Sequence, residues 1–528
     1  MITPRWLPWV WLLPAAFLAA FLAYPLIRLT TTITTGSGGL ALDRLLTPAL
    51  WQITALAAIQ ALISTLLALV VGLPIANVVS RYRFRGRALA QALVTVPFVL
   101  PTVVVALAFR SLFGSGLPQG FLLVVLAHAY VNLAVVVRIV GAQWSQHDPN
   151  LENVARTLGA TRWQAFRDVT LPSLRPSIAS SAAVVFVFSF TSLGIVLLVG
   201  DSATRTLEVQ ILRQTSVLLD FPGAAASALV QLVIVTSVLL AGAAAARRSP
   251  TRMMAPPSLR PVPRGIGAVG VYATVTFAAL IVLAPVAALV VTSLRTSSGL
   301  ALSWWTSLGS VDAGTTRMGS PAAALATSFG FALVTAAIAA IIGGLAAVAV
   351  LAPGRARLVS VLAMIPLGVS AATLGLGLLL AFGRPPTDLR DSVLLVPIAH
   401  SLVAVPLVVA VVAPALRATD NRIGAVAASL GARPTRAFLT TYGAVLRVVM
   451  LASAALAGAV SLGEFGAASF LTRTGSPTVP VQIVRLLSRP GEQSVGVAAA
   501  LAVILVALTL ALVLVVDRVG RAELRSAT

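Results

Sequence analysis

The chain has 528 residues, of which 58% are hydrophobic and only 10% charged, and it carries no Cys. That much apolar surface excludes a soluble globular protein, and the missing Cys excludes disulfides and thiolate metal or redox centres. The formal charge of +22 invites a nucleic-acid reading. Its basic residues are all Arg, and nearly all sit in short segments between apolar runs or at their ends, so the charge reports membrane orientation instead.

A membrane-crossing helix needs about 20 apolar residues. Runs of this kind fall near 6–27, 54–79, 88–110, 120–144, 178–199 and 224–246, then near 265–293, 322–350, 358–383, 392–416, 446–471 and 494–516. The first run is longer than a signal-peptide core and has only Arg5 before it, so it reads as an uncleaved span. The expected fold is an all-α polytopic membrane protein with about twelve transmembrane helices, six in each half. Between the halves, 247–264 holds five Pro and five Arg and reads as an extended cytoplasmic linker. The expected domains are therefore a first repeat, 1–246, the linker, 247–264, and a second repeat, 265–528.

The two halves echo each other. LENVARTLGATRWQAF at 151–166 recurs as IGAVAASLGARPTRAF at 423–438, with seven of sixteen positions identical and a constant offset of 272. LAHAYV (126–131) faces IAHSLV (398–403), aligning His128 with His400, and TLEVQILR (206–213) faces TVPVQIVR (478–485). An even number of spans per half gives both halves the same orientation, a parallel repeat about the membrane normal. The Arg-rich segments place both islands, and both termini, on the cytoplasmic side. Gly159 and Gly431 each separate two short helical patterns, so each island is expected to be a helix, a tight bend and a second helix. The plain alternative is an amphipathic segment lying on the membrane surface.

Acidic side chains are scarce inside the spans. Glu464, in SLGEFGAASFL, lies in the run after the second island, and Ser192 is its counterpart in SFTSLGIVLLV. An ionisable group there is costly unless paired or hydrated. Glu464, Ser189, Ser192 and Ser461 are candidates for a translocation path; the alternative is that Glu464 caps a helix break and the serines pack. The outer segments carry Glu208, Gln210 and Gln482, candidates for an outer gate or a contact with an extracytoplasmic partner. His128 and His400, in apolar surroundings, read as local hydrogen-bonding groups. No metal site and no phosphate-binding loop are legible.

The islands resemble the cytoplasmic loop of binding-protein-dependent ABC importer permeases, whose pattern is Glu-Ala-Ala, three residues, then Gly. The Glu position holds Asn153 and Ala425, while the Gly and apolar positions match. The resemblance covers nearly the whole chain as two fused repeats and is similar in layout to the ferric-iron and thiamine permeases. It implies a type I importer fold in the plasma membrane and coupling loops at Ala155, Arg156, Leu158, Gly159 and Ala160, and at Ala427, Leu430, Gly431 and Ala432. The implied partners are a separate ATP-binding subunit in two copies and an extracytoplasmic solute-binding protein. ATP would sit on the former, with no cofactor on this chain and no nucleic acid. A small hydrophilic solute is the expected cargo, ferric iron ahead of thiamine. The competing reading is an ion-coupled secondary transporter, which needs several intramembrane carboxylates. A membrane enzyme would need clustered catalytic side chains that the sequence lacks.

Overall fold

The computed structural model describes residues 4–35, 41–114, 116–146, 148–247, 260–262, 265–309, 320–352, 355–383, 389, 392–420, 422–473 and 475–526. Most of the expected linker, 247–264, lies outside the described residues. In chain order the helices that matter are α1 (Leu7–Ile33), α2 (Pro48–Arg81), α3 (Arg87–Val99), α4 (Thr102–Phe113), α5 (Phe121–Ser145), α6 (Pro149–Thr157), α7 (Arg162–Phe190), α8 (Gly194–Val199), α9 (Leu207–Ser216), α10 (Phe221–Arg247) and α11 (Ile266–Leu294). They continue with α12 (Pro321–Leu351), α13 (Leu358–Gly368), α14 (Ala371–Phe382), α15 (Leu395–Ala418), α16 (Arg422–Ser429), α17 (Pro434–Gly463), α18 (Gly466–Leu471), α19 (Val479–Leu487) and α20 (Glu492–Val515). Strand content among the described residues is limited to two-residue bridges.

Among the described residues ten helices are long and apolar enough to cross a membrane, and two further pairs qualify only as bent units. The expected straight spans at 88–110 and 358–383 are these pairs: α3 meets α4 at 105° and α13 meets α14 at 102°. In the first, Pro101 pushes Leu100 out of the helical region, to ψ 132. In the second, Ser370 opens a new helix by accepting the Thr373 N–H. The runs at 178–199 and 446–471 are likewise interrupted, after Phe190 and after Gly463, with the short α8 and α18 beyond the breaks. α8 packs on α4 and α18 on α14 closely enough that a Cβ at Gly194 would strike Thr102, and one at Gly375 would strike Ala467.

By contact the chain divides into two compact units, which do not follow the order of the sequence. One comprises Met1–Leu45, Ile211–Leu232 and Ser293–Thr528; the other comprises Leu46–Gln210 and Val233–Thr292. In the first unit Leu18 and Leu22 of α1 join the core built by α12, α14 and α15. In the second, Val271 and Ala278 of α11 join that of α2 and α5, and the Tyr130 hydroxyl donates to the Val282 carbonyl at 3.1 Å. Each half of the sequence thus has its first helix in the unit formed mainly by the other. Within each unit a further crossing depends on glycine: a Cβ at Gly72 would lie 2.8 Å from Val136, and one at Gly343 would lie 2.8 Å from Val408. Such small residues let helices in lipid gain close van der Waals contact, where no hydrophobic drive between them exists.

Candidate functional site

Both islands fold as a helix, a bend and a second helix, and they are built alike. Asp148 caps α6 by accepting the Asn150 N–H at 2.9 Å, and Asp420 accepts the Arg422 N–H at 2.9 Å ahead of α16. At the far end, Ala160 N–H donates to the Ala155 carbonyl and Gly159 N–H to Arg156; Ala432 and Gly431 repeat this with Ala427 and Ala428. This Schellman closure requires a left-handed residue, and Gly159 (φ +93) and Gly431 (φ +83) supply it. Thr161 and Gln164 then form a reciprocal capping box that starts α7, while Pro434 opens α17.

The outward face of each island is apolar. Leu151, Val154 and Leu158 are exposed at positions i, i+3 and i+7, and so are Ile423, Val426 and Leu430 at the equivalent places. Leu158 is 83% exposed and Leu430 82%. Isolated exposed leucines need no explanation, but the same stripe at two equivalent positions marks a surface built for burial. Arg156 is exposed beside it, whereas Ala155, Ala160, Ala427 and Ala432 are half-buried.

The inward faces differ. Arg81, at the end of α2, donates to both carboxylate oxygens of Glu152 at 2.9 and 2.8 Å, and Thr170 donates to the same carboxylate at 2.6 Å. The Arg81 guanidinium also lies over Trp144, 5.9 Å from the ring centroid. Glu152 is one residue before the motif position, and sequence reasoning passed over it because attention stayed on Asn153. The second island has Gly424 at this position, closely packed on Thr441. Replacing Glu152 with Ala leaves Arg81 half-desolvated and unmatched. For a pair this little exposed the expected cost is about 2 kcal/mol, below that of a fully buried pair. Amide exchange in 149–157 should rise roughly thirtyfold, with 422–429 unchanged; equal protection in the variant would refute the clamp.

The candidate path residues are all buried, each within its own unit. Ser461 donates to Thr335 Oγ1 at 3.1 Å and contacts His400 Nδ1 at 2.8 Å; Thr335 donates onward to the Pro397 carbonyl. Since Ser461 gives its proton to Thr335, it accepts from His400 Nδ1–H. His400 Nε2 lies 3.1 Å from Glu464 Oε2. The Glu464 carboxylate also accepts the Ala467 and Ala468 N–H groups at 3.1 and 3.2 Å, capping α18. Ser189 accepts from Asn132 Nδ2 at 3.2 Å, and Ser192 is buried nearby in sequence. Thr335 and Asn132 were missed; a polar side chain within an apolar run was the available signal.

On the outer segments, Glu208 and Gln482 are buried and Gln210 half-buried. In the unit holding α19, a cleft of about 460 Å³ is lined by residues that include Thr215, Leu219, Phe470, Thr472 and Arg473. Val217, Leu218 and Leu219 are exposed beside it, and Leu219 adopts φ +54, a strained conformation for a side chain of its size. Asp220 next to it is held by Arg44 at 2.7 Å. Among the described residues no three His, Cys, Asp or Glu side chains group as a metal site would need.

Residues 65–249 match the family model described as "Binding-protein-dependent transport system inner membrane component". The sulfate transport system permease protein CysT of Escherichia coli (strain K12) is 35% identical over 178 residues, 31% of this chain; the chain spans 64% of that relative's length. The molybdate/tungstate transport system permease protein WtpB of Pyrococcus furiosus is 32% identical over 185 residues, covering 35% of this chain and 74% of the relative. The thiamine transport system permease protein ThiP of Brucella suis biovar 1 is 28% identical over 532 residues, covering 96% of this chain and 94% of the relative. The chain belongs to the family of binding-protein-dependent transport system inner membrane components.

Proposed function

We propose that this chain is a transmembrane permease of an ATP-driven importer, two repeats (1–246 and 265–528) fused through 247–264. It lies in the plasma membrane with both termini cytoplasmic. The observation that carries the reading is the pair of equivalent exposed apolar stripes, on Leu151, Val154 and Leu158 and on Ile423, Val426 and Leu430. Each stripe docks one copy of a separate ATP-binding subunit. Closure of that subunit pair on ATP is transmitted through the islands as a rigid-body movement, and the path opens to one side and then the other. Ser189, Ser192, Ser461 and Glu464 are the residues this reading assigns to the path. The cleft beside Leu219, with α9 and α19, receives an extracytoplasmic solute-binding protein and closes the outer gate.

The cargo is a small hydrophilic solute. Thiamine moves ahead of ferric iron in this reading, because the thiamine permease relative matches along nearly the whole chain. The sulfate and molybdate relatives keep an oxyanion in consideration. An ion-coupled mechanism would need a free intramembrane carboxylate, and Glu464 has both oxygens engaged.

Co-purification tests the reading: in mild detergent the chain should retain an ATP-binding subunit, and loaded binding protein should stimulate its ATPase. Gly159→Val with Gly431→Val sharpens the test. A Cβ at either position meets nothing, so the penalty is backbone strain alone, about 1–2 kcal/mol at each site. Asn tolerates this conformation and should cost less. Coupled ATPase should fall strongly in the Val pair and mildly in the Asn pair. Normal transport in the Val pair at normal expression would remove the coupling role.

A further inference from the structure

The two breaks beyond α7 and α17 are equivalent in sequence but are completed differently. In the second half, His400 Nε2 meets the Glu464 carboxylate. In the first half the corresponding residues are His128 and Ser192, with Ser189 matching Ser461, each 272 positions earlier. Gln60 Nε2 donates to Ser64 Oγ at 2.8 Å and to His128 Nδ1 at 2.7 Å, using both amide hydrogens. His128 Nδ1 is therefore the acceptor nitrogen, and Nε2 carries the proton. Asn132, one turn further along α5, uses its amide nitrogen on the His128 carbonyl and on Ser189.

Four polar atoms remain without a partner: Gln60 Oε1, His128 Nε2, Asn132 Oδ1 and Ser192 Oγ. All four residues are more than nine-tenths buried. Unmet polar groups at membrane depth are costly and are commonly satisfied by internal water. The chemistry of the set selects its ligand. An anion would satisfy the imidazole N–H and the serine but oppose two amide oxygens, and a cation would meet the imidazole N–H. Water both donates and accepts, and so suits each kind of atom in the set.

We propose that the Gln60–His128–Asn132–Ser192 cluster is a hydration site, holding one or two ordered waters where the second half uses the Glu464 carboxylate. Water bridges can break and re-form as a helix break flexes, whereas Glu464 is tied to its own backbone. The first-half break is thus the more compliant of the two.

The decisive variant is Ser192→Glu, which offers His128 the carboxylate found in the second half. In a hydrated site the new side chain displaces water and pairs with His128. The apparent melting temperature of the full chain in nanodiscs should then stay within about 3 °C of the parent, and adding His128→Leu should lower it by about 5 °C or more. A dry, tightly packed site gives the opposite pattern: Ser192→Glu alone prevents folding, which overturns the proposal. Equal stability of the single and double variants overturns it as well. Independently, a cryo-electron-microscopy map of the unmodified protein that resolves water elsewhere should show density within hydrogen-bond distance of His128 Nε2. Its absence there refutes the site.

Discussion

Replacing Leu158 and Leu430 together with Asp should abolish ATP-driven uptake while leaving the chain folded and inserted. Both side chains project almost fully into solvent and touch little of their own protein. Their removal therefore costs no internal packing, and expression and melting temperature should match the parent. Against a partner subunit the balance is different. Burying a leucine is worth about 2 kcal/mol, and a carboxylate forced into the same apolar pocket adds a desolvation penalty of similar size. The sum is roughly a thousandfold loss of affinity at each island. Single variants should leave one ATPase copy attached, measurable as a halved stoichiometry by native mass spectrometry. If the double variant still holds two copies, the stripes are membrane-surface segments and the docking reading fails.

The second large effect is expected at Glu464. Glu464→Ala removes the cap of α18, orphans two buried N–H groups and strands His400 against an apolar site. Breaking a buried pair by deleting one partner typically costs about 3–5 kcal/mol, and here the lost backbone bonds add to it. Folded yield should collapse. Glu464→Gln keeps the shape and one acceptor oxygen, so it should fold with an intermediate loss. A residue whose duty is only to line a path behaves otherwise: Glu464→Ala would then accumulate normally and fail in transport alone. Yield measured alongside uptake in the two variants separates these cases.

Much of this was readable from residues alone, and the unread part has physical reasons. The islands were legible because Gly159 and Gly431 sit at the ends of short polar helices, where a left-handed residue is needed, and because the echo located them twice. The breaks within 88–110 and 358–383 were not, since hydropathy measures length and greasiness and is blind to a 105° turn. Pro101 was a usable hint in the first case; Ser370, an ordinary helix cap, gave none in the second. The Arg81–Glu152 clamp was missed because its partners lie 71 residues apart and Glu152 falls outside the motif position. The exchange of first helices was illegible for a deeper reason: α1 and α11 are apolar nearly all round, and such a surface does not name the neighbour it will meet.

That exchange has a consequence for the making of the protein. Leu18 and Leu22 of α1 find their neighbours in α12, α14 and α15, so the ribosome must add roughly 300 further residues before that contact exists. At ordinary synthesis rates this is about 15 to 60 s. Throughout that interval the Leu18 and Leu22 end of the first helix waits against lipid, while Leu29 and Ile33 at its other end share a cluster with Ile211 and Ala225, which are made sooner.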